Sequence, residues 1–270
     1  MPEGHTLHRL ATLHHRRFAG GVVRVSSPQG RFADGAALVD GHVLTRAEAW
    51  GKHLLHHYDS GLVVHVHLGL YGTFTESPAP LTNPVGQVRM RMIGAGRAEQ
   101  AFGADLRGPT ACEVLHRPEV EALTARLGPD PLRRNADPDR AWQRIHRSTR
   151  SLGSLLMDQA VLAGVGNVYR AELLFRHGIS PRRRGRDLTA AEWGELWTDL
   201  VELMRIGVRR GKIVVVRPEH DHGAPSYAEG RPRTYVYRRA GEPCRLCGAT
   251  VLHSVLEGRN LFWCPTCQPG

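Results

Sequence analysis

The chain has almost no lysine: of its 36 basic residues only Lys52 and Lys212 are not arginine. Set against 26 acidic residues, this leaves a formal charge of +10. Most of that charge sits on guanidinium groups, whose planar fork suits bidentate contact with phosphate, so a polyanionic partner is expected. No apolar run approaches the roughly 18 residues of a membrane-spanning helix. The N-terminus, with Glu3, His5 and Arg9, lacks the apolar core of a secretory leader, and a cytoplasmic location is expected. Cysteine is nearly absent from the first 243 residues, where Cys112 stands alone; the other four lie in the last 27. Clustering of that kind in a cytosolic chain argues for a metal rather than disulfides. There is no internal repeat and no low-complexity tract, which excludes a solenoid.

With 270 residues the chain is long enough for one or two domains. Leu7, Leu10, Ala11 and Phe18 keep helical spacing, and Gly20-Gly21 ends that segment. Leu62, Val64, Val66 and Leu68 then alternate, placing His65 and His67 on the opposite face of a strand. Val88, Met90 and Met92 alternate with Arg89 and Arg91 in the same way. Half-buried strands of this type suggest a β-sandwich rather than a parallel sheet. Residues 117–137, with Pro118, Pro129 and Pro131, read as a linker or hinge holding one short helix, ended by Pro138. Beyond it Trp193, Leu196, Trp197, Leu200, Met204 and Val208 form one apolar stripe, a core face. Thr189 and Glu192 form a capping box before it and Gly211 a stop after it. Residues 213–233, rich in proline and glycine between charges, are expected to form a mobile loop.

The most specific local pattern is Cys244-x2-Cys247, sixteen intervening residues, then Cys264-x2-Cys267. Two such knuckles close a sulfur tetrahedron about one zinc ion, which is structural because no coordination position stays open. Between the knuckles a hairpin is expected, with Arg259 at its tip able to reach a phosphate. Gly164-Val165-Gly166 permits a tight turn before a helix that opens at Asn167, and a helix N-terminus attracts phosphate. Lys52, after Gly51, is a further candidate phosphate contact. Of sixteen histidines, the adjacent pairs His14-His15 and His56-His57 point to opposite faces and chelate poorly. His65 and His67 share a face but have no acidic or cysteine partner nearby in the sequence, which favours structural or phosphate-adjacent roles.

The N-terminus carries its own chemistry. Removal of Met1 would expose the secondary amine of Pro2 beside the Glu3 carboxylate. An α-amino group with a pKa of about 7.7–8.0 is partly neutral and nucleophilic at physiological pH. A secondary amine that adds to an aldehyde carbon becomes an obligate iminium cation, an electron sink that favours elimination next to it. Abasic deoxyribose is a masked aldehyde with phosphate leaving groups suitably placed.

Together, Pro2-Glu3-Gly4, Gly51-Lys52-His53, Gly164-Val165-Gly166-Asn167 and the four-cysteine finger resemble, in order and separation, the Fpg/Nei family of bifunctional DNA glycosylases. Gly4 and Leu70-Tyr71-Gly72 look more like its endonuclease VIII branch. The Arg/Ala-rich composition and the Gly4-His5-Thr6 start are similar to the second actinobacterial endonuclease VIII type. The resemblance implies an α+β chain divided into four parts. An N-terminal two-layer β-sandwich with flanking helices (1–116) would be followed by the linker (117–137). A helix-two-turn-helix domain (138–233) and a β-hairpin zinc finger (234–270) would complete it, with DNA in a cleft. Pro2 would attack C1′ and Glu3 would act as acid, followed by β- and δ-elimination in base excision repair of oxidised bases, mainly pyrimidines. Lys52, Asn167 and Arg259 would hold phosphates, with Lys52 and Arg259 counted in the catalytic set. Leu70 and Tyr71 would fill the void left by the flipped base. The implied setting is a bacterial, nucleoid-associated monomer with damaged DNA as partner and one structural Zn2+.

Two positions depart from the family pattern. Thr6 stands where a second glutamate is usual, and Gly69 where the intercalating triplet usually begins with glutamine. These raise the expectation of altered base excision, of a preference for single-stranded or bubble DNA, and of an alternative function as a lesion- or abasic-site-binding paralogue with little or no excision. A zinc-ribbon transcription factor would explain the cysteines and the charge but leaves Pro2, Glu3 and Lys52 without roles.

Overall fold

The computed structural model describes residues 2–96, 100–221 and 233–270, which divide into two units, Met1–Arg126 and Leu127–Gly270. In the first unit α1 (Gly4–Phe18) turns Leu7, Ala11 and Phe18 inward. It ends before Gly20, whose φ of 85° marks the left-handed turn that stops the helix. Eight strands follow, with a short helix α2 (Ala33–Val39) after the first: β1 (Val22–Ser26), β2 (His42–Trp50), β3 (His53–Tyr58), β4 (Val63–His67), β5 (Thr73–Pro78), β6 (Val88–Gly94), β7 (Phe102–Arg107) and β8 (Ala111–Leu115). All pairings are antiparallel, in the order β5-β7-β6-β1-β2-β3-β4-β8.

The β1–β2 junction is narrow, matching only Val22 with Val43 and Val23 with His42. On either side of it the strands form two halves. One core takes Val23, Val25, Met90, Met92 and Leu106 from the first half and Leu44, Leu54, Tyr58, Val64 and Val66 from the second. The halves therefore pack as the two layers of a sandwich, as alternation in the strands predicts. The outward residues are also spoken for: Arg91 forks onto Asp105 at 2.7 and 2.8 Å.

The stretch 117–137 holds the expected short helix. Its first half is α3 (Arg117–Ala125), whose Leu123 and Val120 pack with Leu55, Val63 and Trp50 of the first unit. Leu127 to Pro131 are buried in the second unit. There α4 (Pro138–Ile145), α5 (Leu152–Leu155), α6 (Asn167–Arg176) and α7 (Ala190–Arg210) build a helical core. The stripe on α7 is buried at Trp193, Leu196, Leu200 and Met204. Thr189 and Glu192 form the capping box, and Gly211 ends the helix at φ 69°.

Of the expected loop 213–233, residues 222–232 lie outside the described residues. Its leading part is anchored, with Ile213 and Val215 in the core. After it, Glu172 of α6 is fully buried and accepts backbone N–H groups from Tyr235, Val236 and Tyr237 at 2.6, 3.0 and 2.8 Å. Burial pushes this carboxyl's pKa up while the three N–H donors oppose it. The finger hairpin, β9 (Leu252–Leu256) and β10 (Arg259–Trp263), pairs Leu256 with Arg259. Its Val251 and Phe262 join the helical core together with Cys244 and Cys264.

Candidate active site and nucleic-acid interface

In the first unit the chain enters α1 directly from Pro2 and Glu3. Glu3 is the N-cap, in extended conformation, and its carbonyl accepts the N–H of Thr6 at 2.8 Å. Only 1 % of its surface is exposed. Glu3 lies next in sequence to the amine that processing would free. Thr6 hydrogen-bonds through Oγ1 with Nε2 of His5 at 3.3 Å. Burial holds His5 down to about 4, so that imidazole is neutral at physiological pH.

Lys52 sits at the tip of the β2–β3 hairpin. Trp50 pairs with His53, leaving Gly51 and Lys52 as a two-residue turn with Gly51 at φ 56°. Beside it His53 donates or accepts at Nδ1 with Nε2 of His65 at 2.8 Å, and His65 meets Glu113 at 2.9 Å. The sequence leaves His65 and His67 without an acidic partner; Glu113 of β8, paired across from His65, supplies one. Burial, then the neighbouring histidines, Arg126 and Lys52, bring His53 down to about 3. The positive charge at this turn therefore rests on Lys52. His14 and His56, one from each adjacent pair, bond to each other at 2.8 Å in the core, a structural role.

Leu70 and Tyr71 form the turn after β4 and are 53 % and 86 % exposed. Two adjacent large apolar side chains left in water suit insertion between or stacking on bases. Gly69 before them has φ 65°, and a Cβ there would lie 1.9 Å from Oγ1 of Thr110. The departure at Gly69 thus has a local cause: the backbone is left-handed and Thr110 fills the adjoining space.

In the second unit Gln159 fixes the glycine turn, accepting from Gly164 N–H and donating to the Val165 carbonyl, both at 2.9 Å. Asn167 then opens α6 with 8 % exposure. Its Nδ2 donates to the Asn260 carbonyl at 2.9 Å and its Oδ1 accepts from Arg170. Arg170, itself buried, also donates to the carbonyls of Asn260 at 2.8 Å and Gly153 at 3.2 Å. The side chain of Asn167 therefore locks the finger hairpin to α6, a role the sequence does not indicate. The residue left pointing outward is Arg259, exposed at the start of β10. Nothing in the sequence marks Arg170, Gln159 or Glu172, since their partners are backbone groups brought up by the fold.

The four thiols Cys244, Cys247, Cys264 and Cys267 lie within 4.8 Å of one another, and no other such cluster occurs among the described residues. Sulfur separations of 3.9 Å (Cys244 to Cys267) and 3.4 Å (Cys247 to Cys264) bracket the about 3.8 Å edge of a zinc–thiolate tetrahedron. N–H groups of Leu246 and Cys267 point at sulfurs of Cys244 and Cys264, as thiolate ligands require. One structural zinc ion fits this donor set, with no position open for chemistry.

Comparison with known proteins agrees with this layout. Residues 1–112 match "Formamidopyrimidine-DNA glycosylase N-terminal domain", 127–218 "Formamidopyrimidine-DNA glycosylase H2TH domain" and 241–270 "Zinc finger found in FPG and IleRS". Endonuclease 8 1 of Mycobacterium tuberculosis is 66 % identical over 99 % of this chain and 100 % of its own. The structure of the MutM (Fpg) protein of Thermus thermophilus aligns with a TM-score of 0.74 and 30 % identity over 99 % of this chain and 98 % of its own. Lactococcus lactis Fpg, bound to DNA containing an abasic site, shares the fold with a TM-score of 0.77 at 18 % identity, over 99 % of this chain and 100 % of its own. No described helix is long and apolar enough to cross a membrane. The chain belongs to the formamidopyrimidine-DNA glycosylase and endonuclease 8 family of DNA glycosylases.

Proposed function

We propose that this chain is a bifunctional DNA glycosylase and abasic-site lyase that removes oxidised bases, mainly pyrimidines, in base excision repair. The observation that carries the reading is the placement of Glu3, buried at the head of α1 in the peptide unit following Pro2. After loss of Met1, the Pro2 nitrogen attacks C1′ and the bond from C1′ to the damaged base breaks. Glu3 takes up the proton that the Pro2 nitrogen sheds after its attack and passes it to the deoxyribose ring oxygen, the C1′–O bond opens, and the nitrogen lone pair completes an iminium. Loss of a C2′ proton then expels the 3′ phosphate, and a second elimination expels the 5′ phosphate. Lys52 and Arg259 hold backbone phosphates, with the head of α6 at Asn167 as a third contact through its N–H groups. Leu70 and Tyr71 occupy the stack position of the extruded nucleotide. The zinc ion acts only by holding the hairpin that carries Arg259.

A non-excising binding paralogue rests on Thr6 and Gly69. Gly69 has a local backbone cause, which leaves Thr6 as its main support. The protein is expected to act as a monomer and to favour single-stranded or bubble DNA, where less stacking must be replaced. The two functions separate in a borohydride trap on DNA bearing an oxidised pyrimidine: hydride reduces the iminium to a stable amine. A covalent adduct and strand cleavage are expected from the Met1-processed protein. Tight binding with neither would leave the binding paralogue.

A further inference from the structure

The tip of the finger hairpin carries a residue its backbone does not favour. Glu257 and Gly258 link the paired residues Leu256 and Arg259 as a two-residue turn, with φ of 48° and 72°. Such a turn takes Asn, Asp or Gly most readily at its first central position, and a glutamate there holds the left-handed region at a cost in backbone energy. The carboxylate is also the wrong charge to place two residues from an arginine that grips phosphate. Both features call for something the carboxylate does.

Its partner is Arg150, from the segment between α4 and α5. One guanidinium nitrogen lies 3.4 and 3.3 Å from the two Glu257 oxygens, and the other donates to Asp158 at 2.8 Å. Arg150 is itself fixed along its backbone: its N–H donates to Ser148 Oγ at 3.1 Å and its carbonyl accepts from Gly185 N–H at 2.9 Å. On the other flank of Arg259, the Asn260 carbonyl is held by Asn167 and Arg170 at 2.9 and 2.8 Å. Arg150, Asp158, Arg170, Glu257 and Arg259 line one cleft of about 220 Å3. The chain on both sides of Arg259 is thus tied to the helical body, by the Glu257 carboxylate on one side and the Asn260 carbonyl on the other, while Arg259 itself is exposed.

We propose that Arg150 and Glu257 are positioning residues: their ion pair pins the hairpin turn so that Arg259 meets a DNA phosphate already oriented. Exposed ion pairs contribute little to global stability; this one acts on the conformation of a single turn, where preorganisation is converted into binding. The inference rests on the reading that Arg259 contacts the DNA backbone, and the two fail separately.

The test is binding of the full-length, zinc-loaded protein to a duplex with a non-cleavable tetrahydrofuran abasic site, by fluorescence anisotropy over a series of salt concentrations. Arg259→Ala should weaken binding about tenfold and reduce the slope of log K against log salt by about 1. Coulomb's law alone makes Glu257→Gln tighten binding, since a negative charge leaves the DNA-facing side. Positioning predicts the reverse sign: Glu257→Gln weakens binding several-fold, Arg150→Ala does the same, and their combination is no worse than the worse single change. Glu257→Gln should add nothing once Arg259 is alanine, and Glu257→Asp should retain binding. Arg150 and Glu257 are 44 % and 54 % exposed, so thermal melting and zinc content should stay as in the parent. Tighter or unchanged binding by Glu257→Gln, with Arg259→Ala still weak, overturns the positioning role and leaves the phosphate grip. No effect of Arg259→Ala overturns the grip and the inference with it.

Discussion

At the scale of single residues, the proposed chemistry is concentrated at Pro2 and Glu3, where loss of Met1 would create the reactive amine. Glu3 can be tested without disturbing packing: Glu3→Gln keeps shape and burial but removes the acid. Base excision should fall by about 10²–10⁴-fold. Cleavage of preformed abasic DNA should fall much less, because its sugar already opens to the aldehyde. Single-turnover rates on the two substrates decide this, and equal losses would remove Glu3 from the protonation step. Gly69→Gln restores the usual side chain on a backbone at φ 65° facing Thr110. It should lower stability by about 1–2 kcal/mol, measured by thermal denaturation, and should not improve duplex binding. The four metal-binding cysteines could be read from the sequence because their chemistry depends on residue type and local spacing. Arg170 and Asn167 could not be placed this way, because their common partner, the Asn260 carbonyl, lies some 90 residues further along the chain.

At the scale of elements, α7 shows how local signals and tertiary contacts divide the work. Its apolar stripe, capping box and terminal glycine are all legible, but not the reason it stays docked on α6. There Arg176 forks onto Asp199 at 2.7 Å and His177 adds a contact at 3.1 Å. Burial raises the Asp199 pKa, yet the bonds from His177 and Arg176 prevail and hold it at about 2, below the ordinary 3.8. A depressed carboxyl pKa contributes stability above the unfolded value and loses it as pH falls through the folded one. The contribution of about 2 kcal/mol should therefore disappear between about pH 4 and pH 2. Asp199→Asn should flatten acid unfolding in that window; an unchanged profile would show that the docking pair carries no linkage. The finger behaves differently, since Cys244, Val251, Phe262 and Cys264 belong to the helical core. Removing zinc with a chelator should lower the melting temperature of the second unit and abolish DNA binding. A melting curve that does not move would mean that the finger folds without metal. In the 117–137 stretch proline and helix coexist for a physical reason: Pro118 sits in the first turn of α3, where a missing N–H costs nothing.

At the scale of the whole molecule, two cores of comparable character stand behind two sets of functional groups. The proposed amine and acid, Pro2 and Glu3, the proposed phosphate contact Lys52 and the exposed Leu70-Tyr71 pair sit on the sandwich. The helical unit presents the glycine turn, the finger and Arg259. Pattern anticipated both fold classes, because antiparallel alternation, a capped amphipathic helix and a four-cysteine finger are local in sequence. The pinning of the finger against α6 was not legible, since it depends on a buried arginine and backbone carbonyls. The central claim is that the nucleophile is the Pro2 nitrogen. It is tested most directly by peptide mapping of the borohydride-reduced adduct with tandem mass spectrometry. The account predicts that the sugar remnant is found on an N-terminal peptide beginning with Pro2. A remnant on Lys52, or an adduct formed equally well by protein that retains Met1, would contradict it.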